Sequence, residues 1–146
     1  MSNWETRIRI GGLILAATAF VVSLGCNTLL YADDSGFLVG LACLLFGMSY
    51  PAWYANVFLF LAGVSLRQKE FWGAVGCAVV ATGLSLSALL IQEVPRNEAG
   101  TLAPVVGYGA GFYLWIACGV VLLAAGVACS LVDRRSNSIL SMGEVS

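Results

Sequence analysis

Long apolar segments constrain this chain more than any other feature. A bilayer core about 30 Å thick is crossed by roughly 20 apolar residues in a helix, and the segments at residues 8–31, 71–91 and 105–132 reach that length. Hydrophobic residues make up 60% of the 146 and charged residues 10%, whereas soluble domains carry about 25% charged residues. The sequence therefore predicts an all-α, polytopic membrane protein.

The charge balance excludes further classes of protein. Seven basic and eight acidic residues give a formal net charge of -1, and the chain has no histidine. A nucleic-acid binder needs a basic face, so nucleic acid is not an expected partner. Mechanisms that depend on an imidazole are excluded as well. The lipid bilayer is the partner that the composition predicts.

A fourth apolar segment, residues 36–66, requires a break. It contains 31 residues without a charge, which as one straight helix would measure about 46 Å, too long for one crossing and too short for two. Ser49 is a plausible cap, Pro51 suits a first helical turn, and the aromatic residues at 50, 53 and 54 suit a membrane interface. We interpret residues 36–48 as a short interfacial helix and 51–66 as the second crossing. The alternative is one long tilted helix kinked at Pro51.

The basic residues predict which ends lie together. Only Arg96 falls in a loop on the opposite side, and cytoplasmic loops are enriched in Lys and Arg. We therefore expect both termini to be cytoplasmic, with residues 1–135 forming one four-transmembrane-helix bundle and 136–146 a flexible cytoplasmic tail. The six basic residues on the predicted cytoplasmic side are Arg7, Arg9, Arg67, Lys69, Arg134 and Arg135.

Small residues repeat along the predicted spans and indicate helix packing, because helices in lipid associate through close backbone approach. Such residues recur at four- and seven-residue steps in the third span, and the fourth span begins with a G-x-x-x-G pattern. The predicted packing residues are Gly73, Cys77, Ala81, Gly76 and Gly83 in the third span, and Gly107, Gly111 and Cys118 in the fourth.

The sequence contains no group of residues typical of catalysis, redox chemistry or metal binding. The five cysteines lie in apolar segments and form no C-x-x-C pair, which favours small core residues over redox or metal sites. The charged residues lie at span ends or in loops, whereas a charge within a span would indicate a transport or catalytic site. We predict no catalytic residue, no metal site and no cofactor.

The predicted outer mouth of the bundle carries the most distinctive polar and aromatic residues. Asn27 and Asn56 should lie at similar depth, where they either clamp the first helix to the second or line a small outward-facing cavity. The loop at residues 92–104 contains two prolines and a glycine, so we expect it to be irregular and to fold over the mouth. Glu98 in that loop could hold a cation or accept backbone amide bonds from its own turn, and we favour the second.

Three elements of the sequence resemble a known group of proteins. They are Trp53-Tyr54-Ala55-Asn56, Asn97-Glu98-Ala99-Gly100 and the segment from Gly107 to Trp115, GYGAGFYLW. The chain resembles a family of uncharacterised bacterial four-helix inner-membrane proteins with W-x-A-N, N-E-x-G and G-Y-G-x-G-[YF]-x-L-W elements in this order. The resemblance implies the bacterial inner membrane and a four-helix topology, and it implies no activity.

Three functions remain open. The preferred hypothesis is a non-enzymatic structural or accessory subunit, associating through its small-residue faces as a homo-oligomer or within a larger membrane complex. One alternative is an oligomeric transporter or pore for a small solute. The other is binding of a lipid or small hydrophobe at the outer mouth, where the candidate residues are Asn27, Trp53, Tyr54, Asn56, Asn97, Glu98, Tyr108, Tyr113 and Trp115.

Overall fold

The computed structural model describes residues 3–31, 37–95 and 101–143. The protein is mostly helical, with a small sheet. The helices are α1 (Asn3–Gly25), α2 (Gly40–Phe46), α3 (Ala55–Arg67), α4 (Phe71–Leu86) and α5 (Ala110–Gly143), with 3₁₀ turns at Gly47–Ser49, Pro51–Tyr54 and Ser87–Leu90. The strands are β1 (Asn27–Tyr31), β2 (Phe37–Val39), β3 (Glu93–Pro95) and β4 (Leu102–Tyr108).

Three helices are long and apolar enough to cross a membrane: Asn3–Gly25, Phe71–Leu90 and Ala110–Arg135. A fourth crossing is obtained if the bent pair Gly40–Ser49 and Pro51–Arg67 is counted as one span. The two parts of this pair meet at 113°. Pro51 starts the second part, as its fixed φ favours. The N-cap position is Tyr50 rather than the expected Ser49, and its side chain makes no capping hydrogen bond.

One end of the bundle carries an antiparallel four-stranded sheet in the order β2-β1-β4-β3. The expectation of an all-α fold is wrong there. The predicted first span ends at Gly25, the predicted fourth begins only at Ala110, and the loop expected to be irregular contains β3 and the start of β4. The strands carry valine, leucine, threonine and tyrosine, which suit a half-buried sheet. A short apolar run next to a helix does not reveal by itself which structure it adopts.

The helices pack in an order that closes the bundle, with α1 against α5, α5 against α4, and α4 against α3. Alanines at the contact faces are fully buried, which brings the backbones close together. A Cβ added to Gly12 would lie 2.6 Å from the Cβ of Ala125, and one added to Gly126 would lie 3.0 Å from Cγ2 of Val75. The fully buried alanines of this core are Ala62, Ala74, Ala78 and Ala81.

The end opposite the sheet gathers basic residues. Arg9 Nη1 donates a hydrogen bond of 2.9 Å to the carbonyl of Arg67, and the Arg134 guanidinium lies 5.0 Å from the centre of the Trp72 ring. The start of α1, the turn between α3 and α4, and the later part of α5 therefore meet at this end. We call it the charged end, and the other the sheet end. Arg96 lies outside the described residues.

Helix α5 continues to Gly143, through most of the segment for which the sequence predicts a flexible tail. Neither glycine nor proline occurs between Val127 and Met142, so nothing in the backbone chemistry interrupts the helix where it becomes polar.

Candidate ligand cavity at the sheet end

A cavity of about 550 Å³ lies at the sheet end. Its wall is formed by the last turns of α1, by β1 and β3, by the segment Gly40–Ser49, by the 3₁₀ turns at Pro51–Tyr54 and Ser87–Leu90, and by the first turns of α3 and α5. The lining is mostly apolar and comprises Phe20, Ser23, Leu24, Thr28, Leu29, Gly40, Ala42, Cys43, Leu44, Phe46, Gly47, Tyr50, Ala52, Trp53, Asn56, Ala88, Ile91, Val94, Gly111, Phe112 and Trp115.

The segment Gly40–Ser49, which we call the lid, is fixed on both sides. At its start, the Gly40 amide donates to the carbonyl of Cys26 over 3.0 Å, and a Cβ at Gly40 would collide with the carbonyl of Ser23. Further along, Trp53 Nε1 donates to the carbonyl of Leu44 over 2.6 Å. Only glycine fits the first contact, so the sequence determines how closely the lid approaches α1.

A chain of hydrogen bonds runs along the cavity wall from the lid to α5. Asn56 Nδ2 donates to the carbonyl of Trp53 over 2.9 Å, and Asn56 Oδ1 accepts a bond of 2.9 Å from Nε1 of Trp115. Together with the bond from Trp53 to Leu44, this chain joins three elements. Asn56 therefore connects α3 to α5 rather than to Asn27.

The remaining polar side chains of the wall also bond within the protein. Ser23 Oγ donates to the carbonyl of Phe20 over 2.6 Å, Thr28 Oγ1 to Cys26 over 3.5 Å, and the Tyr50 hydroxyl to Glu93 over 3.5 Å. Both indole N–H groups are paired as described above. Because the lining is mostly apolar and its Asn56 and indole groups are hydrogen-bonded within the protein, the wall favours an apolar occupant.

The segment GYGAGFYLW builds one side of the cavity. Gly109 and Gly111 lie against the backbone of β1 and its junction with α1, and a Cβ on Gly111 would lie 2.8 Å from Oγ1 of Thr28. This close approach lets β4 turn into α5 with Phe112 buried. The Tyr108 ring supports Phe112 at a centroid distance of 4.6 Å, and its hydroxyl bonds the carbonyl of Ala88 over 3.3 Å.

The candidate residues at the outer mouth separate into distinct groups. Trp53, Asn56 and Trp115 line the cavity, and Tyr108 supports its wall from behind. Tyr54 and Tyr113 are exposed, and Asn27 is an exposed residue at the start of β1. Asn97 and Glu98 lie outside the described residues.

Several lining residues were not among the sequence candidates, notably Phe20, Cys43, Phe46 and Phe112. Phe112 lies inside the aromatic motif and was the most accessible to sequence reasoning. Phe20 and the lid residues come together only through contacts between separate elements.

The predicted packing residues also divide. Cys77, Ala81 and Cys118 belong to or pack against the core, and a Cβ on Gly73 would lie 3.5 Å from Oγ of Ser65. Gly107 is in strand β4 near Leu30, so the G-x-x-x-G pattern with Gly111 is not a helical face. Gly76 and Gly83 have nothing within 4 Å of an added Cβ and point away from the bundle.

Metal ligands do not cluster in the described part of the chain, where no group of three or more His, Cys, Asp or Glu side chains could hold an ion. All five cysteines are free thiols, spread over the junction between α1 and β1, the lid, α4 and α5.

No protein-family model, curated protein or solved structure matches this chain. Its function must therefore be inferred from the cavity and from the surfaces around it.

Proposed function

We propose that the chain crosses the membrane four times, with the charged end in the cytoplasm and the sheet end outside. The gathering of Arg9, Arg67 and Arg134 at one end supports this orientation, because positive charge is enriched on the cytoplasmic side. The sheet supports only the placement of this end outside the hydrocarbon, on one side of the membrane or the other. Strands β2 and β3 are edges, and open sheet edges are not found in contact with the hydrocarbon. The bacterial inner membrane is the location that the family resemblance implies.

In this orientation the lid lies at the outer interface. It meets the following crossing at 113°, and its outward residues Leu41, Leu45 and Met48 are exposed and apolar. A short apolar helix with this geometry suits the boundary between headgroups and acyl chains.

We propose that the protein binds a small hydrophobic molecule in the sheet-end cavity and is not an enzyme. The observation that carries the proposal is an apolar cavity of about 550 Å³ whose polar wall groups bond to the protein itself. Pockets for small ligands have volumes of roughly 300–1,000 Å³ with apolar walls and few polar groups. The chemistry on offer is burial of apolar surface, which contributes about 25 cal/mol per Å².

Thermal unfolding of the purified protein tests this proposal. A ligand that binds only the folded state raises the Tm as its concentration passes its Kd. In a short-chain detergent, we expect at least one of a long-chain alcohol, a free fatty acid and a phospholipid to raise the Tm by several degrees.

The lid supplies a matched pair of variants for this experiment. Cys43→Phe fills the cavity, because Cys43 lines it, and should abolish the rise in Tm. Leu41→Phe adds an aromatic ring on the same helix at an exposed position that does not line the cavity, and should leave the rise unchanged. An identical rise in both variants, or none in the unaltered protein, would refute ligand binding at this site.

A second candidate function is that of a structural or accessory subunit, and a small-residue face on α4 favours it. Gly76 and Gly83 form an open small-residue face on α4, beside the exposed Val79 and Val80. Small residues one or two turns apart let a second helix approach closely. Sedimentation in mild detergent should then show a complex that Gly83→Leu dissociates and Gly11→Leu, at an open position on α1, does not. Monomers throughout would remove this candidate.

The oligomeric pore stays a prediction of the sequence. A path through one chain is disfavoured by the fully buried alanines that close the bundle below the cavity, so such a pore would need several copies.

A further inference from the structure

Buried residues form the wall of the cavity toward the sheet. Thr28 and Leu29 of β1 and Val94 of β3 line the cavity and are themselves buried. Ala88 and Phe112 complete this side and are also buried. A ligand coming through this wall would have to pass between these buried side chains and the paired strands β1 and β4.

The wall between α1 and the lid is less covered. Phe20 and Leu24 of α1 line the cavity and are only half-buried, and Phe46 of the lid lines it while 81% exposed. Phe20 lies five residues before the end of α1 at Gly25, which places it about 7.5 Å below the helix end. The rim is therefore apolar. In the proposed orientation, with the end of α1 at the outer interface, it extends to the depth of the acyl chains of the outer leaflet.

The exterior next to this rim is apolar as well. Leu41, Leu45 and Met48 cover the outer surface of the lid, and Val21 and Val22 are exposed on α1. A lipid chain moving along this surface into the cavity would stay in apolar contact throughout. A polar headgroup would lose its hydration in the mostly apolar cavity, so it would remain outside.

We propose that the occupant is an acyl chain of an outer-leaflet lipid, which reaches the cavity sideways between α1 and the lid and leaves its headgroup at the interface. This inference rests on the proposed hydrophobic binding and specifies its ligand and its route.

Tryptophan fluorescence in nanodiscs tests the route. Trp4 and Trp72 are exposed and lie outside the cavity lining, so Trp4→Phe with Trp72→Phe leaves the cavity residues Trp53 and Trp115 as reporters. Bromine quenches tryptophan only at short range. With phospholipids brominated in the middle of their chains, we expect quenching that saturates at a low fraction of brominated lipid, in addition to the gradual quenching by surrounding lipid.

Cavity-filling variants isolate the saturable component. Cys43→Phe in the reporter background should remove it, and Leu41→Phe should keep it. Ala42→Leu fills the same cavity with a smaller change and serves where Cys43→Phe does not fold, which circular dichroism will show. Equal quenching of the background and of the folded filling variants would overturn the proposal.

The result also separates this proposal from the broader one. If a long-chain alcohol or a free fatty acid stabilises the protein in a Cys43-dependent way while brominated lipid shows no saturable component, the cavity binds a hydrophobe other than a bilayer lipid, and only the acyl-chain proposal falls. If both signals are missing, both proposals fall.

Discussion

The helices pack differently at the two ends of the bundle. Toward the charged end, alanine and glycine let the helices meet directly, as at Gly12 and Ala125, where no room remains for even a methyl group. Toward the sheet end, Trp53, Trp115 and Phe112 meet the lid around a cavity of about 550 Å³. The same bundle is thus close-packed at one end and hollow at the other.

This difference indicates that the sheet end, and not the charged end, can bind a ligand. A close-packed interior in lipid stabilises the fold through van der Waals contact, and filling it further causes strain. At the sheet end, hydrogen bonds between separate elements hold the cavity wall in place instead. We therefore expect substitutions at the charged end to change stability and those at the sheet end to change ligand binding.

The largest expected effect is a difference in labelling from outside the cell, which tests the orientation of the two ends. In a cysteine-free background, a membrane-impermeant maleimide should label Leu102→Cys, on β4, in intact cells. Gln68→Cys and Asp133→Cys, at exposed positions of the charged end, should be labelled only after the membrane is opened. Labelling of Leu102→Cys and Gln68→Cys from the same side would contradict four crossings.

The next effect tests close packing at the charged end. Gly12→Val places a branched side chain where a Cβ alone would lie 2.6 Å from Ala125, and overpacking of this kind costs about 1–3 kcal/mol. The neighbouring Gly11→Val points into open space and controls for the change in helix propensity. Unfolding in a denaturing detergent, followed by circular dichroism, should show a loss of stability for the first variant alone. Equal losses would mean that α1 and α5 do not meet there.

A smaller effect is expected for the hydrogen bonds of the cavity wall. Trp115→Phe removes the donor to Asn56, and interhelical bonds of this type contribute about 0.6–2 kcal/mol. A double-mutant cycle with Asn56→Ala should give a coupling of about 1 kcal/mol. The matched cycle of Asn27→Ala with Asn56→Ala should give none, and a clear coupling there would restore the clamp between the first and second helices.

The smallest effect is expected for a cysteine in the cavity wall, which is compared with the same substitution in the close-packed core. Cys43→Phe enters open volume and should change the free energy of unfolding by no more than about 0.5 kcal/mol. Cys118→Phe enters the core, where Cys118 is buried, and should cost about 1–3 kcal/mol. Equal costs would mean that the cavity is not open space in the folded protein.

The sequence predicted what depends on local composition. The apolar lengths located the helices that can cross a membrane, Pro51 located the break before α3, and the basic residues identified the ends that meet. The strands were missed because residues 27–31 and 105–108 lie next to apolar helices and were read as part of them. In addition, β4 pairs with β1, which is far away in the chain.

The cavity depends on contacts between distant residues. Asn56 was singled out as a buried amide, but its partner Trp115 lies 59 residues away. The lid was predicted as a short helix, yet its approach to α1 depends on the contacts of Gly40 with Cys26 and Ser23. The periodicity of one segment does not predict contacts between distant segments. From the sequence, binding of a lipid or small hydrophobe was therefore only one of three candidate functions.

Native mass spectrometry of the protein released gently from mild detergent tests ligand binding most directly. We predict one hydrophobic molecule retained per chain, lost from Cys43→Phe and kept by Leu41→Phe. A chain that carries no such molecule, or carries it equally in both variants, would contradict ligand binding in the sheet-end cavity.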